Sequence, residues 1–177
     1  IESYAFEGCV SLEKIVIPEG VEKIESHAFE GCLNLKKIVI PESVSEIGSN
    51  AFDKTPWLDS QPNGMVYINK IAYLFKGEAA SVRIADGTRV IGHKAFFKCK
   101  SLESVEIPNS VKKIGWRAFV GCTGLTNVII PSGVEEIAEV AFADPIFKDS
   151  KTITLSVFAG SYAEEYAKKH KIPYKLI

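Results

Sequence analysis

The sequence has no excess of charge of either sign and no long apolar run. Lysine and arginine number 21, and aspartate and glutamate 22, in a chain of 177 residues, which leaves a net charge of −1. Without a broad positive field, binding to nucleic acid or to an acidic membrane surface is disfavoured. No stretch reaches the roughly 18 apolar residues of a membrane-spanning helix, and the start at Ile1 lacks the basic and apolar regions of a signal peptide. We therefore expect no nucleic-acid partner and no membrane insertion.

Catalytic signatures are also missing. The motifs H-E-x-x-H, G-x-S-x-G and G-x-G-x-x-G and the phosphate-binding loop do not occur. His27 immediately precedes an Ala-Phe pair, whereas His93 lies one place earlier in an equivalent segment, so the two do not share a position. We interpret both as surface residues rather than as bases or metal ligands. The sequence thus predicts no enzyme activity, no cofactor and no metal site.

The few cysteines do not form a disulfide framework but mark a repeat. The four cysteines are separated by 23, 67 and 23 residues. Ile-Pro and Ala-Phe pairs recur at the same spacing of 23 residues, outside one interruption. The complete unit, I-P-x-x-V-x-x-I-x-x-x-A-F-x-G-C-x-x-L-x-x-I-x-I, runs from Ile17 to Ile40 and again from Ile107 to Ile130. Self-similarity at such a period is typical of a solenoid in which each repeat forms one coil.

Each repeat carries the pattern of a leucine-rich repeat. A strand with the sequence L-x-x-I-x-I alternates inward and outward residues, and the proline after it ends the strand because it cannot donate to a ladder. We predict a leucine-rich repeat solenoid that is mainly β, with short turns or 3₁₀ segments between strands. The phenylalanines of the Ala-Phe pairs should form one stacked ladder: Phe6, Phe29, Phe52, Phe96, Phe119 and Phe142. The same stacking places the cysteines inward as free thiols, and disulfides between adjacent repeats are the alternative.

The repeat is broken twice. We divide the single solenoid domain into regular repeats at 1–60, a variant coil at 61–83, regular repeats at 84–152 and a cap at 153–177. The variant coil should form a β-hairpin from Met65–Ile68 and Ile71–Phe75.

The two ends of the chain differ. At the C-terminal end, Ser161 and Glu164 form a capping box that predicts a helix to about Lys169, followed by a final strand. The chain lacks an initiating methionine, and Ile1 to Phe6 enter halfway through a coil. We expect further coils before residue 1.

The repeat unit resembles the BspA-type leucine-rich repeats over nearly the whole chain, since six Ala-Phe pairs keep the pattern I-P-x-x-V-x-x-I-x-x-x-A-F-x-G-C-x-x-L. The resemblance implies a bacterial protein at the cell surface or secreted, and members of this family are linked to adhesion to host extracellular proteins and to other cells. It carries no catalytic residues.

Binding is the expected function, and two sets of residues are candidates. Residues between the inward positions of the strands should line one broad sheet face: Lys14, Val16, Lys37, Val39, Ser104, Glu106, Asn127 and Ile129. The aromatic residues of the variant coil are the second set, Trp57, Tyr67 and Tyr73, although core packing is the commoner use of such rings. We predict a non-catalytic adhesion module for a protein or glycan partner. The alternatives are a structural spacer and a targeting domain attached to an upstream enzyme.

Overall fold

The computed structural model of the protein describes residues 1–143 and 153–177. These residues form a mainly β solenoid of about seven turns, as the sequence predicts, and they include two helices. In chain order the elements are β1 (Lys14–Val16), β2 (Lys23–Ile24), β3 (Lys37–Val39), β4 (Glu46–Ile47), α1 (Pro56–Asp59), β5 (Gly64–Ile68), β6 (Ile71–Lys76), β7 (Ser81–Arg83), β8 (Val90–Ile91), β9 (Ser104–Glu106), β10 (Lys113–Ile114), β11 (Asn127–Ile129), β12 (Glu136–Ile137), β13 (Thr154–Val157), α2 (Tyr162–His170) and β14 (Tyr174–Leu176).

Each regular repeat contributes two short parallel strands. The strands of the L-x-x-I-x-I segments and their equivalents pair as β1–β3 and β7–β9, and β11 pairs with the cap strands β13 and β14. The strands of the V-x-x-I segments pair as β2–β4 and β8–β10–β12, and the hairpin strand β6 joins the latter group beside β8. Residues at equivalent repeat positions face one another, as in the pairs Lys14–Lys37 and Val16–Val39. Because successive repeats stack in register, their apolar positions form a continuous core, with Ile24, Leu35 and Ile114 fully buried.

The phenylalanine ladder is real but is divided in two, which corrects the prediction of one continuous stack. Phe6, Phe29 and Phe52 stack with centroids 5.1 and 5.6 Å apart. The second stack joins Phe96, Phe119 and Phe142 at 5.1 Å per step. Between the stacks, Phe52 meets the edges of Trp57 and Tyr73 instead of another parallel ring.

Phe75 is an additional member of the second stack that the sequence interpretation missed. Its ring stacks on Phe96 with centroids 5.6 Å apart. Phe75 lies 23 residues after Phe52 but only 21 before Phe96, which locates the two residues missing from the interruption. Ala72 pairs with Ile91; Phe75 lies three positions after Ala72, whereas Phe96 lies five positions after Ile91. Strand β6 therefore runs straight through a segment where the regular repeats form a turn.

The predicted hairpin is present. Strands β5 and β6 pair antiparallel, and Asn69 adopts the positive φ of 51° in the two-residue turn that joins them. Strand β6 also pairs in parallel with β8. Helix α1, which was not predicted, begins at Pro56 after the N-cap residue Thr55. The Lys76 ammonium donates to the carbonyl oxygens of Leu58, Asp59 and Gln61 and so fixes the end of α1 to the hairpin.

All four cysteines are free thiols. Cys32 Sγ donates to the carbonyl oxygen of Phe6, and Cys122 Sγ donates to that of Phe96, at 3.0 Å in each case. The prediction that every cysteine points into the core is wrong for Cys9, which is exposed, and Cys99 is only half-buried. Cys9 lies in the first coil, and the variant coil that precedes Cys99 lacks the regular turn.

The C-terminal cap follows the prediction closely. Helix α2 has Ser161 as its N-cap, whose Oγ accepts the N–H of Glu164 at 3.3 Å. The Glu164 carboxylate accepts the N–H of Gly160 at 2.7 Å. Strand β14 then pairs with β13, and Ile153, the first residue of the cap, is buried. The predicted boundary between the regular repeats and the cap, at residue 152, lies outside the described residues.

Candidate functional site

The outward residues of strands β1, β3, β7, β9 and β11 form the candidate binding surface, here called the sheet face. It comprises Lys14 and Val16 on β1, Lys37 and Val39 on β3, Ser81 and Arg83 on β7, Ser104 and Glu106 on β9, and Asn127 and Ile129 on β11. These side chains alternate with inward residues, as the period of two requires. Each of the eight predicted sheet residues thus flanks an inward residue of its strand, and equivalent repeat positions face one another in the pairs β1–β3 and β7–β9.

The two halves of the sheet face differ in how their polar groups are satisfied. On β7, β9 and β11 they bond to one another: Ser104 Oγ donates to Ser81 Oγ at 2.9 Å, and Arg83 Nε lies 3.7 Å from Glu106 Oε1. Asn127 Oδ1 accepts a hydrogen bond from Ser156 Oγ at 2.8 Å. These polar groups are thus engaged within the chain, which leaves fewer of them free to bind a partner.

The half formed by β1 and β3, here called the β1–β3 patch, keeps its charged groups free of ion pairs with the described residues. Lys14 and Lys37 are exposed neighbours, and no carboxylate of the described residues lies within ion-pairing distance of either ammonium. Beside them, Val16 and Val39 are 67% and 45% exposed. The patch thus combines two unpaired positive charges with a contiguous pair of apolar side chains. Such a combination suits a partner surface with acidic and apolar groups.

Ser81 and Arg83 belong to the sheet face but are absent from the sequence-based set. The repeat period could have identified them, because the segment 81–83 lies 23 residues before the segment 104–106. Alanine occupies the leucine position of this repeat at residue 79, which hides the L-x-x-I-x-I pattern.

The second predicted set, Trp57, Tyr67 and Tyr73, is only partly exposed, with Tyr67 at 38%. Tyr73 is 3% exposed, and its hydroxyl oxygen accepts the N–H of Phe52 at 3.2 Å. In regular repeats that N–H donates to the carbonyl oxygen of the next alanine, as Phe29 does to Ala51. Trp57 is half-buried against Phe52, and the Tyr67 hydroxyl accepts the N–H of Ala85. Tyr73 is therefore a core residue, and we leave it out of the proposed contact surface.

The titratable groups do not assemble a nucleophile and base at Cys32. Burial raises the pKa of the Cys32 thiol, which keeps it protonated, and its proton is donated to Phe6. His27 Nδ1 bonds instead to the Glu30 carboxylate. Across residues 1–143 and 153–177, no three histidine, cysteine or acidic side chains converge as a metal site would need. In the same part of the chain, no helix is both long and apolar enough to cross a bilayer.

The family model for the BspA type leucine-rich repeat region matches residues 1–70 and 66–165, in six copies. The chain belongs to the BspA-type leucine-rich repeat family. This membership, the parallel repeat sheet and the exposed sheet face make the chain a repeat module of the protein-interaction type. No curated protein matches this BspA-type chain in sequence.

Several solved structures resemble it. A leucine-rich cell surface protein from Faecalibacterium prausnitzii is 18% identical, with 98% of this chain and 62% of that chain covered and a TM-score of 0.48. A leucine-rich repeat protein from T. pallidum is 26% identical, with coverages of 99% and 78% and a TM-score of 0.38. A leucine-rich repeat protein from Bacteroides ovatus is 25% identical, with coverages of 90% and 43% and a TM-score of 0.38. The BspA-type chain thus spans less than two thirds of the first of these structures.

Proposed function

We propose that the chain is a non-catalytic adhesion module of a bacterial cell-surface or secreted protein, which binds its partner through the sheet face. The observation that carries this proposal is the β1–β3 patch, where the Lys14 and Lys37 ammonium groups lack carboxylate partners among the described residues. Membership of the BspA-type family supports the binding role and the surface location.

The partner favoured by this chemistry is a protein. Val16 and Val39 present apolar area that a protein surface can cover, and this area lies beside charges that select an acidic region of the partner. The internal bonds of Ser81, Ser104, Arg83 and Glu106 make the other half of the sheet a poorer source of binding energy. A glycan is the second class of partner for this face.

A structural spacer and a targeting domain attached to an upstream enzyme are the competing functions. In a spacer the sheet face is only a solvated surface, and the β-propensity of valine explains why Val16 and Val39 occur on it. The decisive difference is whether the isolated chain binds anything.

The test is to tether the chain to a surface and to measure retention of purified collagen and laminin and of intact cells. The proposal expects saturable retention of at least one of these that falls as salt is raised, because the charges of the patch are exposed. Absence of retention from all of them would favour the spacer.

A further inference from the structure

The last strand of the cap has an open edge. Strand β14 pairs in parallel with β13, and no described strand pairs with its other side. The N–H of Ile177 donates to the carbonyl oxygen of Val157 at 3.0 Å, so Ile177 faces β13. Because every second residue of a strand bonds to the same side, Lys175 also faces β13. Tyr174 and Leu176 therefore direct their N–H and carbonyl groups to the open side.

The open edge presents both hydrogen-bonding groups and apolar area. The backbone groups of Tyr174 and Leu176 on this side have no backbone partner among the described residues. The side chains of Tyr174, Leu176 and Ile177 are all exposed. A row of unpaired backbone groups is a template on which an extended segment of another chain can add as a further strand. Such a strand would satisfy these groups and cover the apolar side chains at the same time.

The two sides of β14 differ in chemistry. Lys175 lies in register with Ser156 on β13, and Ser156 lies in register with Ile129 of the sheet face. Tyr174 and Leu176 point to the opposite side of the strand, because successive side chains alternate. An added strand would therefore meet a cation on one side and two apolar groups on the other. A segment that alternates acidic and apolar residues matches this arrangement.

The charge of this part of the chain also favours an acidic partner. Lys171 and Lys175 are exposed, and no described carboxylate lies within ion-pairing distance of either ammonium, whereas Lys168 is paired with Glu164 at 2.6 Å. Residues 61–177 contain 16 lysines and arginines against 11 acidic residues, while the preceding 60 residues contain 5 against 11. An acidic segment is thus attracted to the cap and repelled from the N-terminal repeats.

The same charge disfavours a second copy of the chain as the occupant. If two β14 strands paired antiparallel about a two-fold axis through Lys175, the two Lys175 side chains would lie opposite each other. Like charges in directly opposite positions of a strand pair are destabilising.

We propose that the open edge of β14 binds an extended segment of a partner protein by strand addition, and that this segment alternates acidic and apolar residues. Its acidic side chains lie beside Lys175, and its apolar side chains lie beside Tyr174 and Leu176. Every second amide of the segment pairs with the free backbone groups of β14. This surface shares no residue with the β1–β3 patch and goes beyond the function proposed for that patch.

The probe is a fluorescein-labelled peptide of four Glu-Val pairs, and its binding to the chain is measured by fluorescence anisotropy. We expect saturable binding of this peptide. A peptide of four Lys-Val pairs should bind about tenfold more weakly or worse, because attraction to Lys171 and Lys175 is replaced by repulsion.

Methylation of the peptide nitrogens tests the backbone pairing. Only every second amide of an added strand faces β14. Methylation of one set, either the valine or the glutamate nitrogens, should therefore weaken binding by about tenfold or more, and methylation of the other set should be tolerated.

Variants of the chain test the edge itself. Leu176→Pro removes the N–H on the open side and no hydrogen bond to β13, and Leu176→Ala is its matched control because it loses the same side chain but keeps the N–H. The proline variant should bind the Glu-Val peptide about tenfold more weakly than the alanine variant. Val16→Pro makes the same change at the outer edge of β1 and should bind normally.

Charge variants complete the set. Lys175→Glu should lower the affinity for the Glu-Val peptide by about tenfold, because an attractive charge becomes a repulsive one. Lys100→Glu makes the same change at an exposed lysine outside the cap and should have no effect. Thermal unfolding of each variant establishes that it is folded.

The proposal is overturned if the Glu-Val peptide does not bind saturably, or if folded Leu176→Pro binds it as well as Leu176→Ala does. It is equally overturned if both methylated peptides bind as well as the parent peptide, or if Val16→Pro loses binding and Leu176→Pro does not. Dimerisation in sedimentation experiments that Leu176→Pro abolishes, without peptide binding, would assign the edge to a second copy instead. Failure here would leave the sheet-face proposal untouched, because β14 contributes no residue to the β1–β3 patch.

Discussion

Phe119 stacks on Phe142 with ring centroids 5.1 Å apart and the two planes within 5° of parallel. On its other side Phe119 meets Phe96 at the same distance. The Phe119 ring therefore contacts the rings of the repeats on both sides, and its loss removes contacts from those repeats as well as from its own.

Phe119→Ala should lower the free energy of unfolding by about 3–5 kcal/mol, because a buried aromatic ring is lost and a cavity remains. Urea unfolding followed by circular dichroism measures the change. Phe158→Ala removes a ring that is 39% exposed and serves as the control, with a much smaller effect. Equal unfolding of Phe119→Ala and the parent chain would contradict the stacked arrangement.

Gly48 allows two repeats to approach closely, and Gly48→Ala should be strongly destabilising. A Cβ atom added at Gly48 would lie 2.3 Å from the backbone nitrogen of Ser26, so the backbone must shift. We expect a loss of about 2–3 kcal/mol in the same unfolding measurement, as for other overpacked sites.

Gly133→Ala is the matched control for Gly48→Ala, because its added Cβ would meet Asn109 O at the milder distance of 3.2 Å. If both variants unfold at the same urea concentration, the result would contradict the close approach of the Gly48 and Ser26 backbones.

Burial controls the reactivity of the four thiols. Cys9 is exposed, whereas burial raises the pKa of Cys99 to about 11 and that of Cys122 to about 12. Because the thiolate is the nucleophile, iodoacetamide at pH 8 should modify Cys9 first and Cys122 far more slowly. Mass spectrometry of peptides after timed quenching gives the order.

Alkylation after unfolding tests the free thiols of the same chain, since four modified cysteines are expected without prior reduction. Fewer than four would indicate a disulfide. Equal rates for Cys9 and Cys122 in the folded chain would contradict the burial of Cys122.

Glu30 should make stability depend on pH. A hydrogen bond from Lys54, and then one with His27, holds the pKa of the Glu30 carboxyl below its ordinary value of 4.5. A lowered pKa means that the folded state favours the ionised carboxylate. Its stabilisation is full above pH 4.5 and is lost as the pH falls through the lower pKa of the folded state.

Glu30→Gln should therefore be less stable than the parent chain at pH 7, and the gap should close as the pH falls toward 3. Urea midpoints across this range measure it. Glu103→Gln, at an exposed residue without an ion pair among those the structure describes, should show no such dependence. A gap that stays constant with pH would contradict the role of the Glu30 carboxylate.

The repeat made most of the fold predictable. A 23-residue period fixes which residues are equivalent, so the strands, the hairpin and the cap follow from alternation, turn residues and the Ser161–Glu164 capping box. The division of the phenylalanine ladder could not be obtained in this way. It depends on the Tyr73 hydroxyl oxygen, which accepts the N–H of Phe52 in place of a backbone carbonyl, and on the two residues missing between Phe75 and Phe96.

The candidate sites were predictable only in part. Alternation placed Lys14, Val16, Lys37 and Val39 on one surface, but it gave no information about which polar groups are already paired. The unpaired state of Lys37 and the internal bond between Ser81 and Ser104 depend on side-chain distances.

The most direct test of the sheet-face account compares paired variants in the binding of the tethered chain to a retained matrix protein or cell. Lys37→Glu and Val39→Asp alter the β1–β3 patch. Lys100→Glu and Leu33→Asp make the same changes at exposed residues outside the sheet face, Leu33 being 58% exposed. The account predicts that both patch variants lose about tenfold or more in affinity, as expected for interface residues, while both controls bind normally. Binding that is unchanged by Lys37→Glu and Val39→Asp would contradict it.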